Sequence, residues 1–262
     1  MQRVKVEISD HIAQVTLTRA DKRNAVDQAM VDAVIDAAAQ VAQSDARVVV
    51  LAGDGPCFCA GIDLGAFGAM VGKDPVETIM PRTHGMGRTN QWQEMVLAWT
   101  RLEIPVIAAL HGPVFGAGLQ LALGADIRIA GHDAQLAVME MKWGLVPDMG
   151  GMVLLPKLVG SDVLRLLTYT AEPVTAQAAL EWGLVTRIEA DPKAAAMALA
   201  AQIAGKSPKA IRAAKRLIDL AEQAGAEEVL LAESREQAAL IGQPEQLEVV
   251  AAHFAKRPAV FQ

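Results

Sequence analysis

Residues 105–126 read PVIAALHGPVFGAGLQLALGAD, and the fold follows from how this stretch divides. Val106 to Leu110 is an apolar run bounded by Pro105 and Gly112, the length and punctuation of a buried strand. Gly112-Pro113 marks a turn, Gly116-Ala117-Gly118 follows, and Leu119 to Ala125 has helical character. A strand, a small-residue turn and a helix start leave backbone N–H groups free at the positive end of a helix dipole. Such a place suits a negative charge that appears during a reaction. Close helix–strand packing, where glycine serves only for clearance, accounts for the same residues.

Working outward, Val4 to Ile8 and Ile12 to Leu17 alternate as two strands, with Ser9-Asp10-His11 as their turn. Asp27 stands as N-cap to a helix whose Met30, Ala33, Val34, Ala37 and Val41 repeat at helical spacing. Arg47 to Ala52 is a second buried strand, and residues 53–64, GDGPCFCAGIDL, supply a second small-residue turn at a strand end. Two such turns can face one pocket. Residues 65–88, rich in Gly, Met and Pro, read as a mobile cover with a short helix. Trp92, Met95, Val96, Trp99 and Leu102 mark one helical face, read as core packing. Asp126–Ala130 and Gln135–Val138 follow as strands.

Glu140 and Asp148 then sit in an apolar, Met-rich neighbourhood that tends to raise a carboxyl pKa and make it a proton carrier. Helix capping by Asp148 and a salt bridge from Glu140 to Lys142 or an arginine are the structural alternatives. Helices are expected over Leu154–Thr168 with Pro156 at a break, from Thr175 to Gly183, from Asp191 or Pro192 to Ala204, and over Pro208–Ala224, Ala226–Leu240 and Pro244–Phe254. Strand–helix alternation stops near residue 190, giving an α/β core over residues 1–190 that carries the active site and a helical region over 191–262. Lys206, Lys209, Arg212, Lys215 and Arg216 form a basic cluster there, read as a solvated face or a phosphate contact.

Composition bounds the function. The 262 residues are 52% hydrophobic and 21% charged, enough for a substantial core. A formal net charge of −6 argues against broad nucleic-acid binding. No apolar run approaches the roughly 18 residues of a membrane helix, and MQRVKVEISD lacks a signal-like segment, so a cytoplasmic protein is expected. Cys57 and Cys59 form C-x-C without a second ligand pair, and small buried thiols are expected rather than a metal. Dinucleotide binding fits poorly, because Gly116-x-Gly118 lacks the third glycine of that fingerprint and no acidic residue ends a suitable second strand.

Four motifs occur together: Asp21-Lys22-Arg23-Asn24-Ala25, residues 58–64 (FCAGIDL), His111-Gly112-Pro113 through Gly118, and Gly144-Leu145-Val146-Pro147-Asp148 through Gly151, with Lys256-Arg257-Pro258 near the end. On these the chain resembles the crotonase, or enoyl-CoA hydratase/isomerase, superfamily over nearly its whole length. The resemblance implies an α/β spiral of ββα repeats, a helical C-terminal region that forms trimers or dimers of trimers, and an acyl-CoA thioester as substrate. By position it places the oxyanion-hole N–H groups on Ile62 and Ala117, with Gly116 admitting the backbone. It places the CoA and substrate wall on Lys22, Arg23, Ala25, Ala60, Gly61, Asp63 and Leu64, with Lys256 reaching the phosphates, from a neighbouring subunit if needed. Hydratases of the family use two glutamates, which fall on Glu140 and Gln120. A glutamine holds water but takes no proton at neutral pH. Isomerases use an acid at the Glu140 position, at the Asp148 position or, as dienoyl-CoA isomerases do, at both, these last also carrying an acid at the Gln120 position, where this chain departs. The resemblance therefore favours an enoyl-CoA isomerase needing no metal or redox cofactor. Hydration by Glu140 with Gln120 holding the water, and an acyl-CoA-binding protein without turnover, are the alternatives.

Overall fold

The computed structural model describes residues 2–65, 72 and 74–261. Nine strands are described: β1 Val4–Ser9, β2 Ile12–Leu17, β3 Val48–Gly53, β4 Val106–Leu110, β5 Pro113–Phe115, β6 Ile127–Gly131, β7 Gln135–Ala137, β8 Val174–Thr175 and β9 Arg187–Glu189. The larger sheet runs β1-β2-β3-β4-β6-β9. Its first pair is antiparallel, closed through Asp10 and His11 at positive φ, and the rest are parallel. Every residue of β3 and β4 is buried, as central parallel strands require because both faces are covered. The strand period of two sorts them: Val49 and Leu51 enter one core, Val48, Val50 and Ala52 the other.

The smaller sheet runs β5-β7-β8, and Cys59 pairs with Val114 of β5 as an isolated bridge. Each of three large-sheet strands is therefore followed within a few residues by a segment of the small sheet. β3 leads to Cys59, β4 to β5 and β6 to β7, in the same left-to-right order in both sheets. This is the spiral of ββα turns that the resemblance implied. The sequence reading took Gly112-Pro113 as a turn alone and did not separate β5, β8 or β9, which are two or three residues long and exist only through their partners.

The first helix, α1 (Gln28–Ala42), starts where Asp27 accepts the N–H of Met30 at 2.9 Å. Next come α2 (Pro75–Ile79), α3 (Gln91–Thr100) and α4 (Ala117–Leu123). Met95, Val96 and Trp99 of α3 enter the main core, in line with the core-packing reading. Of the cover expected over residues 65–88, α2 is the short helix, while 66–71 and 73 lie outside the described residues. The helix expected over Leu154–Thr168 is divided into α5 (Gly151–Leu154), a 3-10 turn containing Pro156, and α6 (Ser161–Thr170). α7 (Ala176–Glu181) is capped by Thr175.

Beyond β9 the chain is helical: α8 (Pro192–Ala204), α9 (Pro208–Ala221), α10 (Ala226–Leu240) and α11 (Pro244–Phe254). α8 lays Ala196, Ala200 and Ala204 on the second face of the large sheet, small side chains that let helix and sheet approach closely. The basic cluster is not a plain solvated face. Lys215 is buried, with Nζ 2.9 Å from Asp126 and 3.0 Å from the Ile104 carbonyl, and Arg216 grips Glu236 with two bonds of 2.8 Å. Among the described residues, no helix is long and apolar enough to cross a membrane.

Candidate active site

Two strand-end turns meet above the C-terminal ends of β3 and β4. Val26 donates to the Gly61 carbonyl and Asp63 donates to the Val26 carbonyl, both at 2.8 Å. Backbone groups of an extended segment alternate in direction, so these two bonds turn the N–H of Ile62 away from Val26. Ala117 opens α4 behind Gly116, in the first turn where N–H groups lack helical partners. Gly116 has φ 49° and ψ −117°, a region in which a side chain is strained. The turns are pressed together. A Cβ on Gly61 would lie 2.9 Å from the Phe115 carbonyl oxygen, and one on Gly118 only 2.4 Å from that of Cys59.

Beside them stands Glu140, first residue of a 3-10 turn over Glu140–Trp143. A Cβ on Gly116 would be 3.5 Å from its Oε1. Gln120, on α4 and buried, donates from Nε2 to that Oε1 at 2.6 Å. The oxygen of the same amide accepts the N–H of Met149 at 2.9 Å and of Gly151 at 3.0 Å. Glu140 Oε2 is buried and has no hydrogen-bond partner among the described residues. Burial pushes the Glu140 pKa above the ordinary glutamate value. The bond from Gln120 opposes that shift and the nearby Asp148 charge adds to it. No ion pair joins Glu140 to Lys142 or an arginine among the described residues; Lys142 places its ammonium over the Trp143 ring.

Asp148 lies on the turn that Gln120 holds. Its carboxyl is open to solvent on one side, yet enough protein surrounds it for desolvation to raise its pKa. It caps no helix: the N-cap of α5 is Gly150, at φ 99° and without a side-chain cap. The two carboxyl groups are thus brought to one place by neighbouring turns, each with a reason to hold a proton longer than in water.

The expected CoA-binding residues divide. Arg23 accepts the Ala60 N–H at 3.0 Å through its carbonyl, which sets the 22–25 turn against residues 60–64. Lys22, Arg23 and Leu64 are exposed, Ala25 and Ala60 half-buried. Asp63 is differently employed: Arg19 binds its carboxylate at 2.6 Å and the Gly65 N–H a further oxygen at 2.8 Å, so it braces the turn. Lys256 is exposed on a tail whose Phe261 carbonyl accepts from Arg47 at 3.0 Å, at the end of β3 opposite the site. No contact joins Lys256 to the other site residues among the described residues.

Asn24 is the residue that sequence reasoning quoted but did not single out. Fully buried, it donates to the carbonyls of Asp54, Cys57 and Phe58 at 2.9 to 3.0 Å and accepts the Arg19 N–H at 2.9 Å. Its signal was an Asn following a charged pair, a residue type tolerant of the positive φ of 54° it adopts. The cysteines are buried thiols. Cys57 donates to the Arg23 carbonyl and Cys59 to that of Asn24, and burial pushes the Cys59 pKa up to about 12.

The chain and its fold have counterparts among known proteins. The chain is 37% identical over 214 residues to the probable enoyl-CoA hydratase EchA14 of Mycobacterium tuberculosis, covering 81% of this chain and 79% of that one. It is 34% identical over 211 residues to the mitochondrial Delta(3,5)-Delta(2,4)-dienoyl-CoA isomerase of Rattus norvegicus, covering 78% of this chain and 64% of that one. The crystal structure of an enoyl-CoA hydratase from Bacillus anthracis superposes with a TM-score of 0.88 at 29% identity, covering 99% of both chains. The family model for enoyl-CoA hydratase/isomerase matches residues 7–262. With both strand-end turns, the two carboxylates and the crotonase spiral in place, the chain belongs to the enoyl-CoA hydratase/isomerase family.

Proposed function

We propose that the protein is an enoyl-CoA isomerase, moving the double bond of an acyl-CoA thioester by carboxylate proton transfer. The bonding of Gln120 carries the reading. Addition of water by a pair of carboxylates needs a second proton carrier where Gln120 stands, and an amide neither takes nor gives a proton at neutral pH. Its oxygen is engaged by Met149 and Gly151 and one N–H by Glu140, so it serves the carboxyl and the turn.

In the proposed reaction the thioester oxygen accepts the N–H groups of Ile62 and Ala117. Glu140 or Asp148 takes the proton from the carbon next to the thioester, the C–H electrons pass into a dienolate, and negative charge collects on the oxygen. Two aimed N–H groups stabilise that charge, each worth about 3–4 kcal/mol. The protonated carboxyl, its own acid or its neighbour's, then returns a proton to the far carbon, re-forming the carbonyl with the double bond conjugated. A carboxyl with a raised pKa suits both steps. Coenzyme A enters with the substrate, passing Ala25, Ala60, Gly61 and Leu64 with its phosphates toward Lys22 and Arg23. Lys256 joins them only from another subunit of a homotrimer or dimer of trimers. Exposed Leu230, Leu231, Leu247 and Phe254 on α10 and α11 support such an assembly. No metal or redox cofactor takes part.

The test offers purified protein a 3-enoyl-CoA and a 2-enoyl-CoA separately, read by absorbance and mass. Conversion of the 3-enoyl substrate to its 2-enoyl isomer at unchanged mass supports the proposal. Rapid addition of water to the 2-enoyl substrate supports hydration instead. One amide hydrogen of Gln120 without a partner among the described residues, together with relatives named hydratases, favours that second reading. Tight acyl-CoA binding without turnover would overturn both.

A further inference from the structure

We infer that Gln120 is a positioning residue that works in two directions at once: its amide N–H orients Glu140, and its amide oxygen anchors the turn carrying Asp148. The inference rests on the isomerase reading for its kinetic consequences and on geometry for its substance. Met149 and Gly151 aim two N–H groups at one oxygen. Only the oxygen end of the amide can receive them, so its NH2 end must face Glu140 Oε1, 2.6 Å away. The amide cannot flip without losing all three bonds, and it has little room to move. It is buried, and a Cβ on Gly151 would already lie 2.9 Å from its oxygen.

Two consequences follow. Among the described residues Glu140 is held through Oε1 alone, and the proton is assigned to its buried, unpartnered Oε2. Asp148 is held by its backbone: it lies next to Met149, so the amide that orients the first carboxyl also fixes the turn of the second. A carboxylate at position 120 would keep the two backbone bonds. It would also set a second negative oxygen against Glu140, and the pair would share a proton.

Two variants separate the two directions. Gln120→Glu keeps the acceptor for Met149 and Gly151 and loses the donor to Glu140, whereas Gln120→Leu loses both at similar volume. Infrared titration of the Glu140 carboxyl, assigned with Glu140→Gln, reads the first direction without substrate. Amide hydrogen exchange at Met149 and Gly151 reads the second. The expected result is a Glu140 pKa raised in both variants, more in Gln120→Glu, with the two amides protected in Gln120→Glu and exchanging at least tenfold faster in Gln120→Leu. In turnover, the acid limb of the kcat profile moves to higher pH in both variants while KM stays within a few-fold. A Glu140 titration unchanged in both variants, or equal exchange at the two amides in wild type and Gln120→Leu, would overturn the inference. A wild type that fails to isomerise overturns the isomerase reading but leaves the infrared and exchange results to judge Gln120. Should Gln120→Leu not fold, Gln120→Glu alone still decides the Glu140 half, and Gln120→Met replaces it for the exchange measurement.

Discussion

Glu140 combines a buried Oε2 with no hydrogen-bond partner among the described residues, an Oε1 held by Gln120 and a neighbouring carboxylate. Its replacement by Gln keeps the shape and removes the proton carrier, so kcat on a 3-enoyl-CoA should fall about 10²–10⁴-fold with little change in KM, measured by steady-state kinetics. The same variant should report on stability. The folded chain holds the Glu140 proton more tightly than the unfolded chain does. Its contribution is fully present below the ordinary glutamate value of about 4.3 and is lost as pH rises through the raised folded value. Glu140→Gln escapes that loss, so its thermal midpoint should exceed the wild-type value in mildly alkaline buffer and lose the advantage in acid. An equal difference at both ends of the range would mean that the Glu140 proton plays no part. The residue types at 120, 140 and 148 were legible in the sequence. The bonding of Gln120 was not, because Met149 and Gly151 reach it only through the tertiary path of the 144–151 turn.

At the scale of elements, the two turns depend on backbone shape. Gly116→Ala would force a side chain into φ 49° and ψ −117°, against Met139 and Glu140. The strain is about 1–3 kcal/mol, to be read by urea unfolding. Turning Ala117 N–H off its aim should also cost kcat on the order of 10²-fold. Full activity at reduced stability would remove Ala117 from the proposed oxyanion pair. The long strands and capped helices were legible because each carries its own signal: alternation in β2, continuous apolar runs in β3 and β4, Asp27, Thr175 and Asp191 as caps whose side chains accept from the first helical turn. The short strands β5, β8 and β9 carry none, whereas Pro156, expected at a break, does fall inside a 3-10 turn after Leu154. Pairing across the spiral decides those strands. At Asp148 the capping alternative fails. Pro-Asp before a helix resembles a cap, but Gly150 takes that position and leaves the carboxyl free for chemistry.

The whole molecule joins an α/β spiral to a helical arm, and an ion pair between buried Lys215 and solvent-exposed Asp126 ties α9 to the spiral. Asp126 Oδ2 accepts both the Val106 N–H at 2.7 Å and Lys215 Nζ at 2.9 Å, which ties α9 to the start of β4. Lys215→Ala removes the ammonium bonds to Asp126 and the Ile104 carbonyl and leaves Asp126 open to water, so it should cost about 1–3 kcal/mol, seen as a lower thermal midpoint and earlier proteolysis of residues 208–261. An unchanged midpoint would make the pair incidental. The end of strand–helix alternation near residue 190 marks the helical region, but Lys215 reads from sequence as part of a solvated or phosphate-facing cluster, since a charge at helical spacing does not disclose which face the helix buries. The central claim, that this spiral holds a proton shuttle rather than a water-adding pair, is tested most directly by turnover of a 3-enoyl-CoA in D2O, followed by product mass. The account predicts a conjugated 2-enoyl product with no added water, its far carbon carrying the abstracted proton or, to the extent that the carboxyl exchanges with solvent before returning it, a deuterium. A product heavier by one D2O, formed as fast as the double bond moves, would contradict it.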